Sequence, residues 1–128
     1  MIVALSGSTG FVGKAVMKKM MQLGWTVRVI NRVSFSLPDL GFLEQITEGA
    51  DVILNFAGAP VSKKWTPAYK REIADSRVNP ARKISDSIAN AKKKPSVYLS
   101  ASAIGIYDSV QTHTESSEAF ADSFLAGV

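Results

Sequence analysis

Short apolar runs and longer amphipathic segments alternate along this chain. Continuous apolar runs of four to six residues are typical of strands that are covered on both faces of a parallel sheet. The pattern predicts five strands, the third of them brief, at residues 2–4, 26–30, 33–36, 51–56 and 97–100.

Amphipathic segments predict helices between these strands. Residues 14–23 carry apolar side chains at helical spacing and stop at Gly24, which is a favoured residue at the end of a helix. A shorter helix is predicted around residues 40–46, and it ends at Gly49.

The longest predicted helix starts with Thr66 as its capping residue and Pro67 at the first helical position. It extends toward Lys94, and Pro80 lies inside it. A proline there removes one backbone hydrogen bond and disfavours the helical conformation of Asn79, so we expect a kink or a local break at this point.

Strands that alternate with helices predict an α/β fold with a doubly wound parallel sheet of the Rossmann type, in the strand order 3-2-1-4-5. In such a sheet, ligands bind at the carboxyl ends of the strands. The segments that reach this edge are residues 7–13, 31–32, 55–60 and 100–107. Their convergence predicts a functional site.

Three glycines at three-residue spacing, Gly7, Gly10 and Gly13, stand where the first strand turns into the first helix. We expect Gly7 to make the tight turn, Gly10 to admit a pyrophosphate and Gly13 to let the helix pack on its strand. The amino end of the helix supplies partial positive charge, and two hydroxyls in the turn add donors. The predicted nucleotide-binding residues of this turn are Gly7, Ser8, Thr9, Gly10, Phe11, Val12 and Gly13.

Other interpretations of the turn are weaker. The spacing G-x-x-G-x-x-G matches the dehydrogenase fingerprint G-x-G-x-x-G only loosely, so the flanking strand and helix carry much of the argument. A P-loop is excluded because Ser8 stands where its first glycine belongs and Ala15 stands where its hydroxyl residue belongs. The alternative that the glycines only form a tight turn stays open.

Composition narrows the class of protein. With 128 residues and 46% hydrophobic residues, the chain predicts one domain over residues 1–128. The net charge is +4, and the basic residues are scattered along the chain, which argues against a nucleic-acid partner. No apolar run is long enough for a membrane span. The lack of cysteine fits a reducing compartment, so we expect a soluble cytoplasmic protein. No metal site is predicted, and the lone His113 is expected to be solvated.

The chain resembles the extended or atypical short-chain dehydrogenase/reductases, and within them the amino-terminal portion of the NAD-dependent epimerase/dehydratase, or nucleoside-diphosphate-sugar epimerase-like, family. The resemblance covers essentially all residues. The segments that carry it are residues 6–13, 55–60, 65–70, 76–79 and 99–107.

The resemblance implies roles for five residues outside the glycine turn. Asn55, Ala57 and Gly58 would line the adenosine half of the cofactor. Asn79 would match the helix asparagine that helps to hold a proton-relay water, and Ser102 would match the hydroxyl that orients the substrate. From the residues alone, Asn79 is equally well an ordinary helix-break residue, and Ser102 is alternatively a cap of the turn after the strand.

The end of the second strand bears on the choice of cofactor. A carboxylate there would bind the ribose hydroxyls of NAD and repel a 2′-phosphate, but this chain has Asn31 and Arg32 instead. Both are therefore predicted to bind cofactor, and NADP is preferred over NAD. The alternative is that Arg32 is a solvated loop residue.

One part of the family pattern is missing. The family's chemistry uses a tyrosine with a lysine four residues later, but Tyr69, Tyr98 and Tyr107 are not followed by lysine at that distance. We expect the tyrosine and lysine, the last strands and the substrate domain all to lie beyond Val128. The chain would then stop in mid-helix. The chain alone is then expected to be inactive.

The resemblance implies an NAD(P)-binding domain of an epimerase/dehydratase-like oxidoreductase. Such an enzyme would act by hydride transfer on a hydroxyl or carbonyl of a small-molecule substrate, for example a nucleotide sugar. Members of the family often pair through their long helices, which implies a homodimer. The alternative is a non-catalytic dinucleotide-binding or redox-sensing interaction protein.

Overall fold

A computed structural model describes residues 1–128 as one α/β unit. Four strands alternate with helices in the order β1, α1, β2, α2, α3, β3, α4, β4, and a short 3-10 turn follows at residues 104–106. The strands are β1 Ile2–Ser6, β2 Thr26–Ile30, β3 Val52–Asn55 and β4 Val97–Ser100. The helices are α1 Phe11–Gln22, α2 Arg32–Ser36, α3 Gly41–Thr47 and α4 Pro67–Asn90.

All strand pairs are parallel, and the sheet has the order β2-β1-β3-β4. Leu5 of β1 lies between Val29 of β2 and Leu54 of β3, so the central strand is paired on both sides. The chain leaves β1 for one edge of the sheet and then returns to the other side of β1, which brings the ends of β1 and β3 together. This confirms the doubly wound class.

The two faces of the sheet hold two separate apolar clusters. Ala4 and Ile53 face α3 and α4 and pack with Leu43 and Ile84, all fully buried. Alternate residues of the same strands, such as Val3 and Leu5, point to the other face and pack against α1. Alternation therefore supplies both faces with apolar side chains, as a sheet covered by helices on both sides requires.

The predicted third strand at residues 33–36 is wrong, because this segment forms the short helix α2. The side chain of Asn31 accepts hydrogen bonds from the backbone amide and the hydroxyl of Ser34, at 3.1 and 3.2 Å. Such capping stabilises a helix start directly after β2. The sheet consequently has four strands, in the expected order without its edge strand.

The helix α4 runs through Pro80 without a break and ends at Asn90, four residues before Lys94. Thr66 caps it by accepting a hydrogen bond from the amide of Tyr69 at 3.2 Å, as the sequence predicts. Pro80 is buried. None of the helices combines the length and the apolar content needed to cross a bilayer.

Beyond β4 the chain forms turns rather than another helix. A single antiparallel bridge joins Tyr107 to Phe120, and the amide of Ala121 donates to the carbonyl of Ile106 at 2.9 Å. The expectation that the chain stops in mid-helix is wrong, since residues 123–128 form only a turn. A single turn fixes many dihedrals for few hydrogen bonds, which makes an isolated helical turn unfavourable.

Candidate functional site

A cleft of about 930 Å³ opens at the carboxyl edge of the sheet. Its walls are the glycine turn after β1, the end of β2 with α2, the loop after β3 and one face of α4. Three segments that the sequence places at this edge therefore meet around one cavity. The fourth segment, residues 100–107, does not line it.

Glycine is needed for a different structural reason at each of the three positions in the turn. Gly7 has a positive φ of 70°, and a Cβ there would overlap the carbonyl of Phe56. A Cβ on Gly13 would overlap the carbonyl of Gly7, so Gly13 allows α1 to pack on the turn. Gly10 is less crowded, because its Cβ would lie 3.3 Å from the Gly7 oxygen, which is a tight contact but not an overlap. Gly10 itself lines the cleft.

The amino end of α1 has no capping side chain, and its first turn has no acidic residue. The amides of Phe11, Val12 and Gly13 have no hydrogen-bond acceptor in the protein. The side chains of Phe11 and Val12 are exposed and do not line the cleft, so these two residues offer only their amides. Free amides and the helix dipole together favour an anion at this position.

Ser8 and Thr9 complete the glycine turn and line the cleft. Ser8 is buried, whereas Thr9 is exposed. Neither hydroxyl takes part in a hydrogen bond within the protein. Both hydroxyls are thus free to serve as donors to a ligand.

At the end of β2, Asn31 and Arg32 both line the cleft. The Asn31 side chain is engaged as the cap of α2, so its oxygen already accepts two hydrogen bonds. Arg32 is exposed and forms no ion pair. The end of β2 therefore presents the unpaired cation Arg32 to the cleft, and neither Asn31 nor Arg32 is a carboxylate.

Asn55 is buried rather than exposed to the cleft, with only 3% of its surface accessible. Its side-chain oxygen accepts hydrogen bonds from the hydroxyl of Ser6 and from the amide of Ala57, and its amide group donates to the hydroxyl of Ser100 at 3.2 Å. The residue joins the ends of β1, β3 and β4. Asn55 itself therefore does not line the cleft, because these three partners hold it in the interior.

The loop after β3 forms the floor of the cleft through Ala57 and Gly58, as the sequence predicts. Ala59 continues this floor, and its amide donates to the hydroxyl of Ser76 on α4 at 2.8 Å. The hydroxyl of Tyr69 donates to the carbonyl of Pro60. The floor is thereby tied to α4.

Sequence reasoning missed most of the α4 wall. Asn79 lines the cleft as predicted, is exposed and has no side-chain partner in the protein. Most of the missed residues precede Asn79 at helical spacing, on the face of α4 next to its apolar stripe. This spacing was the signal in the sequence that could have revealed them. They are Ala68, Arg71, Glu72, Asp75, Ser76 and, after Asn79, Pro80.

Ser102 lies outside the cleft and is exposed. Ser102 is therefore not among the residues that line the cleft with Asn79. Ser102 follows β4, whose edge has no further strand beside it in this chain.

His113 is mostly buried, not solvated as expected, with 11% of its side chain exposed. Its ring stacks on Tyr107 at a centroid distance of 4.8 Å, and its Nε2 lies 3.0 Å from a carboxylate oxygen of Asp108. Hydrogen bonds from the amide of Val110 and then from His113 hold the pKa of the Asp108 carboxyl below its usual value. No three His, Asp or Glu side chains lie close enough together to hold a metal ion.

Comparison with known proteins identifies the family. The model of the NAD dependent epimerase/dehydratase family matches residues 3–123. The chain belongs to this family. It is 30% identical over 128 residues to the chloroplastic epimerase family protein SDR39U1 homolog of Arabidopsis thaliana, covering 88% of this chain and 37% of that protein. It is also 30% identical to the Bacillus subtilis epimerase family protein YfhF, covering 98% of this chain and 46% of that protein.

Solved structures of the epimerase family share the fold. The human epimerase family protein SDR39U1, solved with NADPH, superposes with a TM-score of 0.81 over 99% of this chain and 45% of that chain, at 19% identity. The nucleoside-diphosphate sugar epimerase of Corynebacterium glutamicum superposes with a TM-score of 0.76 over 99% of this chain and 28% of that chain, at 26% identity. The chain spans less than half of the length of these relatives.

Proposed function

We propose that residues 1–128 form a dinucleotide-binding domain that holds NADP in the cleft at the carboxyl edge of the sheet. The observation that carries this proposal is the uncapped amino end of α1, where Gly10 lines a large cavity and the amides of the next three residues have no acceptor in the protein. Membership in the NAD dependent epimerase/dehydratase family supports a nicotinamide dinucleotide as the ligand.

The residues present fit such a cofactor. The cavity volume of about 930 Å³ lies in the range of small-molecule and cofactor sites. The amides of Phe11, Val12 and Gly13 would hold the pyrophosphate, and the small residues Ala57 and Gly58 leave room for the adenosine half. Arg32, unpaired at the end of β2, would hold the 2′-phosphate that distinguishes NADP from NAD.

The bound cofactor would exchange a hydride with a carbon that carries a hydroxyl or carbonyl group. This chain's own residues bind and orient the cofactor, and Asn79, with its free side chain on the cleft wall, is placed to hold a water molecule. The likeness to a nucleoside-diphosphate sugar epimerase supports a nucleotide sugar as the substrate of the whole protein. The whole protein would then act as an epimerase/dehydratase-like oxidoreductase or isomerase.

The second candidate function is a protein that binds the dinucleotide without catalysing a reaction. No tyrosine in the 128 residues is followed four positions later by lysine, so the chain contains no acid/base pair of the usual kind. A non-catalytic dinucleotide-binding or redox-sensing protein would need only the cleft. Turnover of NADPH by the whole protein with a carbonyl substrate would decide for the enzyme.

The direct test is a calorimetric titration of the chain with NADPH and with NADH. We expect tighter binding of NADPH, and Arg32→Ala should lower the NADPH affinity about tenfold by removing a charged hydrogen bond, with NADH affinity unchanged. Arg82→Ala is the matched control, because Arg82 is also exposed and unpaired but does not line the cleft. Failure of both cofactors to bind would overturn the proposal, and equal losses for both would overturn the role of Arg32.

A further inference from the structure

Arg77 on α4 is a half-buried cation without a carboxylate partner. One nitrogen of its guanidinium donates to the carbonyl of Ile73 at 3.1 Å, and another donates to the carbonyl of Ala59 at 3.1 Å. The first contact lies within α4, and the second reaches the floor of the cleft. The side chain therefore bridges the helix and the loop after β3 through two backbone oxygens.

The loop that Arg77 holds is fixed at several other points. The amide of Ala59 donates to the hydroxyl of Ser76, which in turn donates to the carbonyl of Ile73 at 3.0 Å. The amide of Ala57 is bonded to Asn55. The amide of Gly58, between these two, has no acceptor in the protein. The anchors thus leave one amide of the cleft floor free.

Gly58 and Arg77 fit each other closely. A Cβ on Gly58 would lie 3.1 Å from the central carbon of the guanidinium and 3.2 Å from one of its nitrogens. These distances are tighter than most real contacts, so a methyl group at Gly58 would shift the guanidinium by a few tenths of an ångström against its two carbonyl acceptors. The family resemblance explains the small residue at Gly58 by the room that a cofactor needs. The structure adds a second reason, which is the guanidinium of Arg77 beside Gly58.

We propose that Arg77 is a positioning residue for the dinucleotide cleft. It fixes residues 57–60 so that the small side chains and the free Gly58 amide are already in place when a ligand arrives. Its charge, balanced only by carbonyl dipoles, also makes the floor attractive to an anionic ligand. Binding to a floor that is already ordered avoids the cost of ordering it. This inference rests on the proposed binding of a dinucleotide.

The experiment compares Arg77→Lys with the control Arg82→Lys in NADPH titrations. Lysine keeps the charge and the helix propensity, but its single terminal nitrogen cannot reproduce the planar two-pronged bridge. We expect about tenfold weaker NADPH binding for Arg77→Lys and no change for Arg82→Lys, which makes no hydrogen bond in the structure. Hydrogen exchange of the Ala59 amide should quicken in Arg77→Lys, while amides of β1 and β3 keep their rates.

Gly58→Ala tests whether Gly58 and Arg77 act together on NADPH binding. If Arg77 only stabilised the fold, the effects of Gly58→Ala and Arg77→Lys on NADPH affinity would be independent. Alone, it should weaken NADPH binding severalfold, because the new methyl group shifts the guanidinium against its two acceptors. In the Arg77→Lys background it should cost less than twofold, since the planar group that it displaces is gone. Additive losses in the double variant would mean that Gly58 acts on the ligand alone, and they would overturn the inference.

The possible failures are separable. If the unchanged chain binds no NADPH, the proposed function fails, and the exchange rate of the Ala59 amide still decides on the role of Arg77 in the loop. If the unchanged chain binds NADPH and Arg77→Lys binds it equally well, the proposed function stands and the positioning role is wrong. An unchanged Ala59 exchange rate in Arg77→Lys would overturn it as well.

Discussion

The carboxyl edge of the sheet and the segment after β4 differ in how firmly this chain holds them. At the edge, the turn and the loop are fixed by backbone overlaps that only glycine avoids, by the buried Asn55 and by anchors on α4. The segment over residues 101–128 has one isolated bridge and one short 3-10 turn. Two of its large apolar side chains, Ile104 and Val110, are about nine-tenths exposed.

This difference separates two halves of the predicted site. The binding half, around the glycine turn, is assembled and preorganised within these residues. Ser102, the predicted substrate-orienting residue, lies in the other half, outside the cleft. The lesson is that the turn and the loop that line the cleft depend on local backbone constraints, whereas Ser102 follows β4, the edge strand of the sheet.

Gly13→Ala is the largest expected disruption of the edge. The added methyl group would overlap the Gly7 carbonyl, so we expect a loss of ~3 kcal/mol in the free energy of unfolding, the upper end for overpacking. Urea denaturation measures it. The matched control is Gly10→Ala, which has an extended φ of −75° and should change stability by less than ~1 kcal/mol while weakening NADPH binding. Equal destabilisation by both would contradict the assignment of separate reasons to the glycines.

Asn55→Ala should also destabilise the edge. The substitution removes the buried oxygen and amide that join Ser6, Ala57 and Ser100, so we expect a loss of ~1–3 kcal/mol in unfolding free energy. Asn90→Ala is the control, since Asn90 makes its hydrogen bond to Glu44 on the surface and should cost less than ~0.5 kcal/mol. A thermal melt that does not separate the two variants would argue against the interior role of Asn55.

Acid should affect two carboxylates, Glu48 at the end of α3 and Asp108 in the segment after β4. Hydrogen bonds from the amides of Lys93 and Lys92 lower the pKa of Glu48, and hydrogen bonds from Val110 and His113 lower the pKa of Asp108. Because each folded pKa is depressed, the stabilisation is complete above the unfolded values of about 4 and is lost as the pH falls through the folded values.

Carboxyl chemical shifts measured by NMR against pH should therefore give pKa values below the usual values for both side chains. His113→Ala should raise the pKa of Asp108 and leave the pKa of Glu48 unchanged, so Glu48 serves as the internal control. An Asp108 value that stays the same without His113 would show that this contact does not exist in solution.

Ser102→Ala should have the smallest effect. Ser102 is exposed and outside the cleft, so we expect a stability change within ~0.5 kcal/mol and unaltered NADPH affinity. Denaturation and titration of the same sample measure both. Weaker cofactor binding in this variant would place Ser102 in the binding half and break the comparison.

Sequence pattern was sufficient where local rules decide the structure. The run of apolar residues before Gly7 and the spacing to Gly10 and Gly13 predict the turn, because glycine is needed wherever backbone meets backbone closely. Thr66 and Pro67 likewise predict the start of α4, since caps act within one turn.

Pattern was insufficient where tertiary contacts decide. Residues 33–36 are an exception, because the Asn31 cap that starts their helix is a local signal that the strand prediction overlooked. Asn55 resembles a ligand-facing residue, but partners from two distant strands bury it. The wall around Asp75 was missed because the amphipathic pattern marks the core face of a helix and leaves the ligand face among ordinary polar residues.

The most direct test of the central claim is an amide NMR spectrum of the chain during titration with NADPH. We predict the largest shifts at the amides of Phe11, Val12, Gly13 and Gly58, which have no acceptor within the protein. Unchanged positions for these four amides, or shifts confined to residues 107–120, would contradict the account.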